Sequence, residues 1–132
     1  MPYHLLLEKC DEVFALISIT KNQVDLVEQH TKGQARSRLW FQQRSGIITA
    51  SKFKSVCHTN PAIPSQSLIK RICYPLENKF SSVQTNYGCQ NEVSALAFLK
   101  EKLFPAHEDP QLHATGFFRC AKFPFIGASP DS

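Results

Sequence analysis

The sequence lacks any apolar run near the ~20 residues that a membrane span needs; none exceeds the five residues of Val13 to Ile17. Its start argues against a secretory signal: Met1-Pro2-Tyr3-His4 carries no basic region, and Glu8 and Asp11 soon interrupt the leucines that follow. It lacks a C-x-x-C pair. Its five cysteines (Cys10, Cys57, Cys73, Cys89, Cys120) are an odd number of scattered thiols, which suit a reducing compartment better than a disulfide framework. The expected location is therefore inside the cell, nucleus or cytoplasm. His4, His30, His58, His107 and His113 make no zinc spacing with those cysteines. There is no P-loop, no G-x-G-x-x-G and no G-x-S-x-G, and no internal repeat, low-complexity tract or long linker. What is present is a chain of 132 residues, 42% apolar and 20% charged, which fits one small globular domain and excludes a multidomain enzyme.

Charge is unevenly spread along this chain. Residues 1–31 hold two basic and five acidic residues, and residues 81–132 hold four and five. Residues 32–80 hold nine basic residues (Lys32, Arg36, Arg38, Arg44, Lys52, Lys54, Lys70, Arg71, Lys79) against Glu77 alone, a net charge of +8. Such a block is the electrostatic footprint of a polyanion partner, nucleic acid being the commonest; a solvated basic face with no partner fits the charge count equally.

The pattern of residues predicts mostly helix followed by a strand pair. Residues 5–19 are apolar-rich but ambiguous between helix and strand. Thr20 with Gln23 three residues on reads as a capping box, opening a helix over 21–30 that Gly33 breaks. A second helix is predicted over 34–44, buried through Leu39, Trp40 and Phe41 and ended by Ser45-Gly46. Thr49 or Ser51 caps a short helix toward Val56, and Ser65 to Tyr74 reads as another with Leu68, Ile69 and Ile72 inside. The clearest helix runs from Tyr87 to Leu103, stopped by Pro105. Leu112 to Cys120 alternates like a strand, and Phe125 to Ala128 reads as a second after a turn near Lys122 to Pro124. The fold class predicted is α+β (α/β).

Three clusters carry residues with useful chemistry. The first runs from Trp40 through Arg44 to Lys52. An arginine just before a hydroxyl-rich helix start suits a phosphate, because backbone N–H groups, the helix dipole and Ser or Thr hydroxyls converge there; an ordinary N-cap with a solvated arginine fits the same residues. The second is Tyr87-Gly88-Cys89-Gln90-Asn91-Glu92. Gly88 lies one turn before Glu92 on the same face, as if something approached the backbone, and a partly buried Glu92 would need a partner such as a metal ion. A surface glutamate in a first turn is the plainer alternative. The third, Gly127-Ala128-Ser129-Pro130-Asp131, puts a carboxylate at a strand end, where it either helps hold a divalent cation or belongs to a plain Pro-Asp turn.

Taken in order, these motifs resemble the YqaJ-type viral recombinase domain, related to phage lambda exonuclease, of the PD-(D/E)xK or restriction-endonuclease-like nuclease superfamily. The residues that carry the resemblance are Trp40, Arg44, Gly46 and Ile48 to Phe53; Tyr87-Gly88 and Asn91-Glu92 with Ala95; Thr115-Gly116; and Gly127 to Asp131. It spans roughly residues 20–132 and leaves 1–19 as an N-terminal extension. It implies a helix bearing Glu92, then the first two strands of a mixed sheet with Asp131 at the end of the second. It further implies that Glu92 and Asp131 are catalytic and bind Mg²⁺ or Mn²⁺; that Arg44, Ser51 and Ser129 hold the 5′-phosphate of a DNA end, a duplex end in the family's manner of working; and that Thr49, Lys52 and Gly88 support them. The family's E-x-K motif does not follow Asp131 within these 132 residues. The sequence is therefore expected to be the N-terminal portion of such a nuclease domain, with an incomplete core and weak metal binding, that binds DNA without cutting it. The alternative is a non-catalytic DNA-binding or protein-interaction module derived from such a nuclease.

Overall fold

The Thr20 hydroxyl accepts the Gln23 amide at 3.2 Å while the Gln23 side chain accepts the Thr20 amide at 2.9 Å, the reciprocal cap that the sequence predicted. It opens α2, Lys21–His30. The computed structural model describes residues 1–79 and 81–131. Ahead of α2, the ambiguous N-terminal stretch is a helix, α1 (Tyr3–Leu16), which buries none of its residues fully and whose Phe14 ring lies 5.0 Å from that of Phe125.

The helix predicted over 34–44 is two pieces. A 3₁₀ turn spans Gln34–Arg36, Ser37 is extended, and α3 runs Arg38–Arg44. The physical reason is Gln34, whose φ of 46° no α-helix accommodates. Its amide side chain donates to the carbonyls of Thr115 (3.1 Å) and Pro130 (2.7 Å), two bonds that fasten the turn to the distant third cluster. Trp40 and Phe41 are buried as predicted, but Leu39 is on the exposed side. Gly46, with φ 73°, takes the chain out of α3 into β1 (Ile48–Thr49), and α4 (Ala50–His58) follows directly. Ser65 caps α5 (Gln66–Cys73), in which Leu68 is buried but Ile69 is exposed.

The long helix starts earlier than predicted, because Ser82 caps it through the Thr85 amide at 3.1 Å: α6 spans Val83–Lys102, and a 3₁₀ turn over Phe104–Ala106 follows it. Residue pairs close in space divide the chain into two units, residues 1–78 with 114–131, and residues 79–113. The second unit holds α6 and its terminal turn, and no residue of α6 is fully buried.

In the first unit, β2 (Phe118–Arg119) and β3 (Ile126–Ala128) form an antiparallel pair, and β1 lies parallel to β3, giving the order β1-β3-β2. With six helices and this mixed sheet among the described residues, the fold is α+β. The strand predicted over 112–120 hydrogen-bonds as strand only at its end. Upstream of it, α2 takes over the backbone: the Thr31 hydroxyl accepts the Phe117 amide at 2.7 Å, and Glu28 Oε1 accepts the Gly116 amide at 3.0 Å. Phe117, fully buried, completes a core with Trp40, Phe41 and Ile47, on which Val27 and Leu76 also pack.

Candidate functional site: a cationic pocket at the ends of two parallel strands

Parallel pairing sets the position of the first and third clusters. Thr49 is in register with Gly127, so Ser51 and Ser129 each follow that pair by two residues at the same end of the sheet. Thr49 is buried, and its hydroxyl lies 3.2 Å from that of Ser51. Thr49 is also the N-cap of α4 but makes no side-chain cap bond, which leaves the first-turn amides of α4 without a capping oxygen from it.

Trp40 links this end of the sheet to Arg44. Its indole N–H donates to Ser129 Oγ at 2.8 Å, and the Arg44 guanidinium lies 3.8 Å from the centre of its ring. One buried ring thus fixes both a hydroxyl and a cation, and a contact of this kind is worth about 0.5–2 kcal/mol depending on desolvation. Trp40 was legible in the sequence as a core residue and as a motif residue of the first cluster; its bridging role depends on Ser129, far along the chain.

The turn after α3 is stapled to the end of α5. The Gly46 amide donates to Ile72 O at 2.9 Å, and the Ser45 hydroxyl donates to Cys73 O. Arg71, in the last turn of α5, is thereby drawn toward the first turn of α4. Burial lowers the pKa of Lys52, and the neighbouring charges of Arg44 and Arg71 lower it further. Burial also lowers that of Arg44, whose buried Nε has no acceptor among the described residues. No ion pair to Arg44, Lys52 or Arg71 occurs among the described residues, where the pairs are Lys32–Glu28 and Lys102–Glu101. Three cations held together against their own repulsion, beside exposed hydroxyls, are complementary to an anion. Arg71 has no motif signal; only its place in the basic block pointed to it.

The third cluster is pinned by its backbone. Pro130 O accepts from the Thr115 hydroxyl at 2.7 Å as well as from Gln34. Asp131 follows as an exposed residue with an interaction of its own. Gly127 is required for packing: a Cβ there would overlap the Phe117 ring.

The second cluster differs from its sequence reading. Because α6 begins at Val83, Glu92 lies in the helix interior rather than in a first turn, and its side chain is exposed rather than partly buried. Gly88 has open space where a Cβ would stand, so nothing in the fold requires a glycine there. Glu92 belongs to the unit of residues 79–113 and Asp131 to the other. Among the described residues no three His, Cys, Asp or Glu side chains converge as a metal site requires.

Across residues 6–132 the sequence matches the family model for viral alkaline exonuclease. The chain belongs to that family. The match bears out the resemblance read from the motifs, and it includes most of α1. No individual curated protein matches the chain. Membership makes this a nuclease-type DNA-processing domain; family members act on DNA and generally use divalent metals. Among the described residues no helix is long and apolar enough to cross a membrane.

Proposed function

We propose that these residues form the part of a viral alkaline exonuclease-type nuclease that grips the 5′-phosphorylated end of duplex DNA. The observation that carries this reading is that Arg44 and Lys52, without carboxylate partners among the described residues, stand near the strand ends that bear Ser51 and Ser129. In this reading Arg44, held flat by Trp40, presents its guanidinium to the phosphate; Ser51 and Ser129 donate hydroxyl hydrogen bonds; and Lys52 and the first-turn amides of α4 add positive potential. Thr49 orients Ser51. The pocket's charge is fixed before the ligand arrives, so repulsion among the cations is relieved when the phosphate binds.

Glu92 and Asp131 take their metal roles from the family resemblance, which implies Mg²⁺ or Mn²⁺, and the two residues lie in different units. These 132 residues are proposed to bind DNA ends without cutting them, since no three His, Cys, Asp or Glu side chains converge among the described residues. The test is a gel assay of linear 5′-phosphorylated duplex with Mg²⁺ or Mn²⁺, with Asp131→Ala as control. Binding without degradation supports the reading, and metal-dependent degradation that disappears in Asp131→Ala overturns it.

A further inference from the structure

A polar groove lies between α4 and α5. Its volume is about 410 Å³, and Ser55, His58, Thr59, Asn60, Ser65 and Arg71 contribute to its walls. Ser51, Ser55 and Thr59 are spaced four apart on and just beyond α4, so their hydroxyls form a row along one side of the helix. Each step of that row is about 6 Å along the axis, on the scale of one nucleotide of backbone. Opposite the row stands Arg71, exposed and without an ion-pair partner among the described residues. The groove is set by local structure: the Thr59 hydroxyl accepts the Ser65 amide at 2.9 Å, closing the loop between the helices, and the bonds from residues 45 and 46 hold the far end of α5. Ser55 in its wall stands one helical turn from Ser51, and the groove carries the charge of Arg71 and is lined by hydrogen-bond donors without a carboxylate.

We infer that this groove is a second phosphate site, in which Arg71 and Ser55 hold an internucleotide phosphate of the DNA strand whose 5′ end lies at Arg44. The inference rests on the end-binding reading for its direction, since Ser51 belongs to the first site and Ser55 to the second. One phosphate at each site fixes the direction of the strand as well as its end, which a single pocket does not do. A phosphodiester carries one charge and two free oxygens, which Arg71 and the hydroxyl row can bind from opposite sides.

The experiment measures binding of fluorescent 5′-phosphorylated and 5′-hydroxyl duplexes across a salt series, with the full chain, Arg71→Gln and Ser55→Ala. Arg71→Gln is expected to weaken binding about tenfold at low salt. It should lower the slope of log affinity against log salt by about 0.9 while keeping the preference for the phosphorylated end. Ser55→Ala should weaken binding several-fold with little change of slope. In a duplex carrying an uncharged methylphosphonate at each of the first two internucleotide positions of the 5′ strand, wild type and Arg71→Gln should bind alike. An unchanged slope in Arg71→Gln, or equal losses for both proteins on the methylphosphonate duplex, overturns the second site. Loss of the end preference in Arg71→Gln also overturns it, by placing Arg71 in the first site. If wild type binds duplex but shows no end preference, the end-binding reading fails while the Arg71 slope still decides the groove. If wild type binds no DNA at low salt, both fail.

Discussion

Two glycine-to-alanine substitutions are expected to move stability in opposite directions. At Gly127 the added methyl would overlap the Phe117 ring, reaching 2.7 Å from Cε2, and come within 2.9 Å of the Phe118 carbonyl. Phe117 is 0% exposed, so its ring cannot swing aside without opening the core it shares with Trp40 and Phe41. Overpacking of this kind costs typically 1–3 kcal/mol, and the backbone contact on the second side puts Gly127→Ala at about 2–3. For a unit of roughly 100 residues that is a fall in Tm on the order of 10–20 °C. At Gly88 a methyl meets nothing within 4 Å, inside a helix, so Gly88→Ala should add about 0.5–1 kcal/mol to α6. The assay is thermal unfolding followed by near- and far-ultraviolet circular dichroism. Phe117→Leu serves as a second variant: combined with Gly127→Ala it should cost less than the two separate losses together, because the smaller side chain leaves room for the methyl. A Gly127→Ala protein that melts within a degree or two of wild type, or a double variant with additive losses, would refute the packing account of that glycine.

Thr31→Val should destabilise by about 1–3 kcal/mol by leaving the buried Phe117 amide without an acceptor, whereas Thr31→Ser should stay near wild type; denaturant titration separates them. Lys52 has a lowered pKa in the folded chain, so the unfolded chain holds more protons between the two values, and the stability of the free protein should rise as pH climbs through that interval. DNA affinity should fall over the same climb, at lower pH than an ordinary lysine near 10.4 would give, and Lys52→Met should flatten both profiles. Trp40→Phe keeps a ring for Arg44 but removes the N–H that holds Ser129, so binding of a 5′-phosphorylated end should weaken several-fold; a binding isotherm unchanged from wild type would separate Ser129 from the phosphate.

Signals confined to a few neighbouring residues were the ones legible in the sequence. The capping box of Thr20 and Gln23, the short helix from Ser65, the stop at Gly46 and the turn before β3 each depend on residues within a few positions of one another, and each stands where local chemistry placed it. The break at Ser37 was not legible, because it follows from Gln34 reaching Thr115 and Pro130, more than 80 positions away. The short β2 has a similar cause: the upstream amides that alternation assigned to a sheet partner are bonded by Glu28 and Thr31 of the α2 end. Alternation did separate Phe117 from Phe118, but which face is the core was settled by α2, α3 and Gly127. In the candidate site, Arg44, Ser51 and Ser129 were legible as motif residues, and their shared place follows from the parallel pairing of β1 with β3. Arg71 was hidden because its approach to Lys52 depends on the staple between the α3 turn and the end of α5.

The central claim, that the cationic pocket is a receptor for the phosphorylated end of DNA, is tested most directly by the affinity of wild type and Arg44→Ala for one duplex with a 5′-phosphate or a 5′-hydroxyl, at fixed low salt. The account predicts that wild type prefers the phosphorylated end about tenfold or more, as one charge-assisted hydrogen-bonded contact supplies. It predicts that Arg44→Ala loses most of that preference while retaining weaker, salt-sensitive binding through the rest of the basic block. Equal affinity of wild type for the two ends, or an Arg44→Ala protein weakened equally on both, would contradict it.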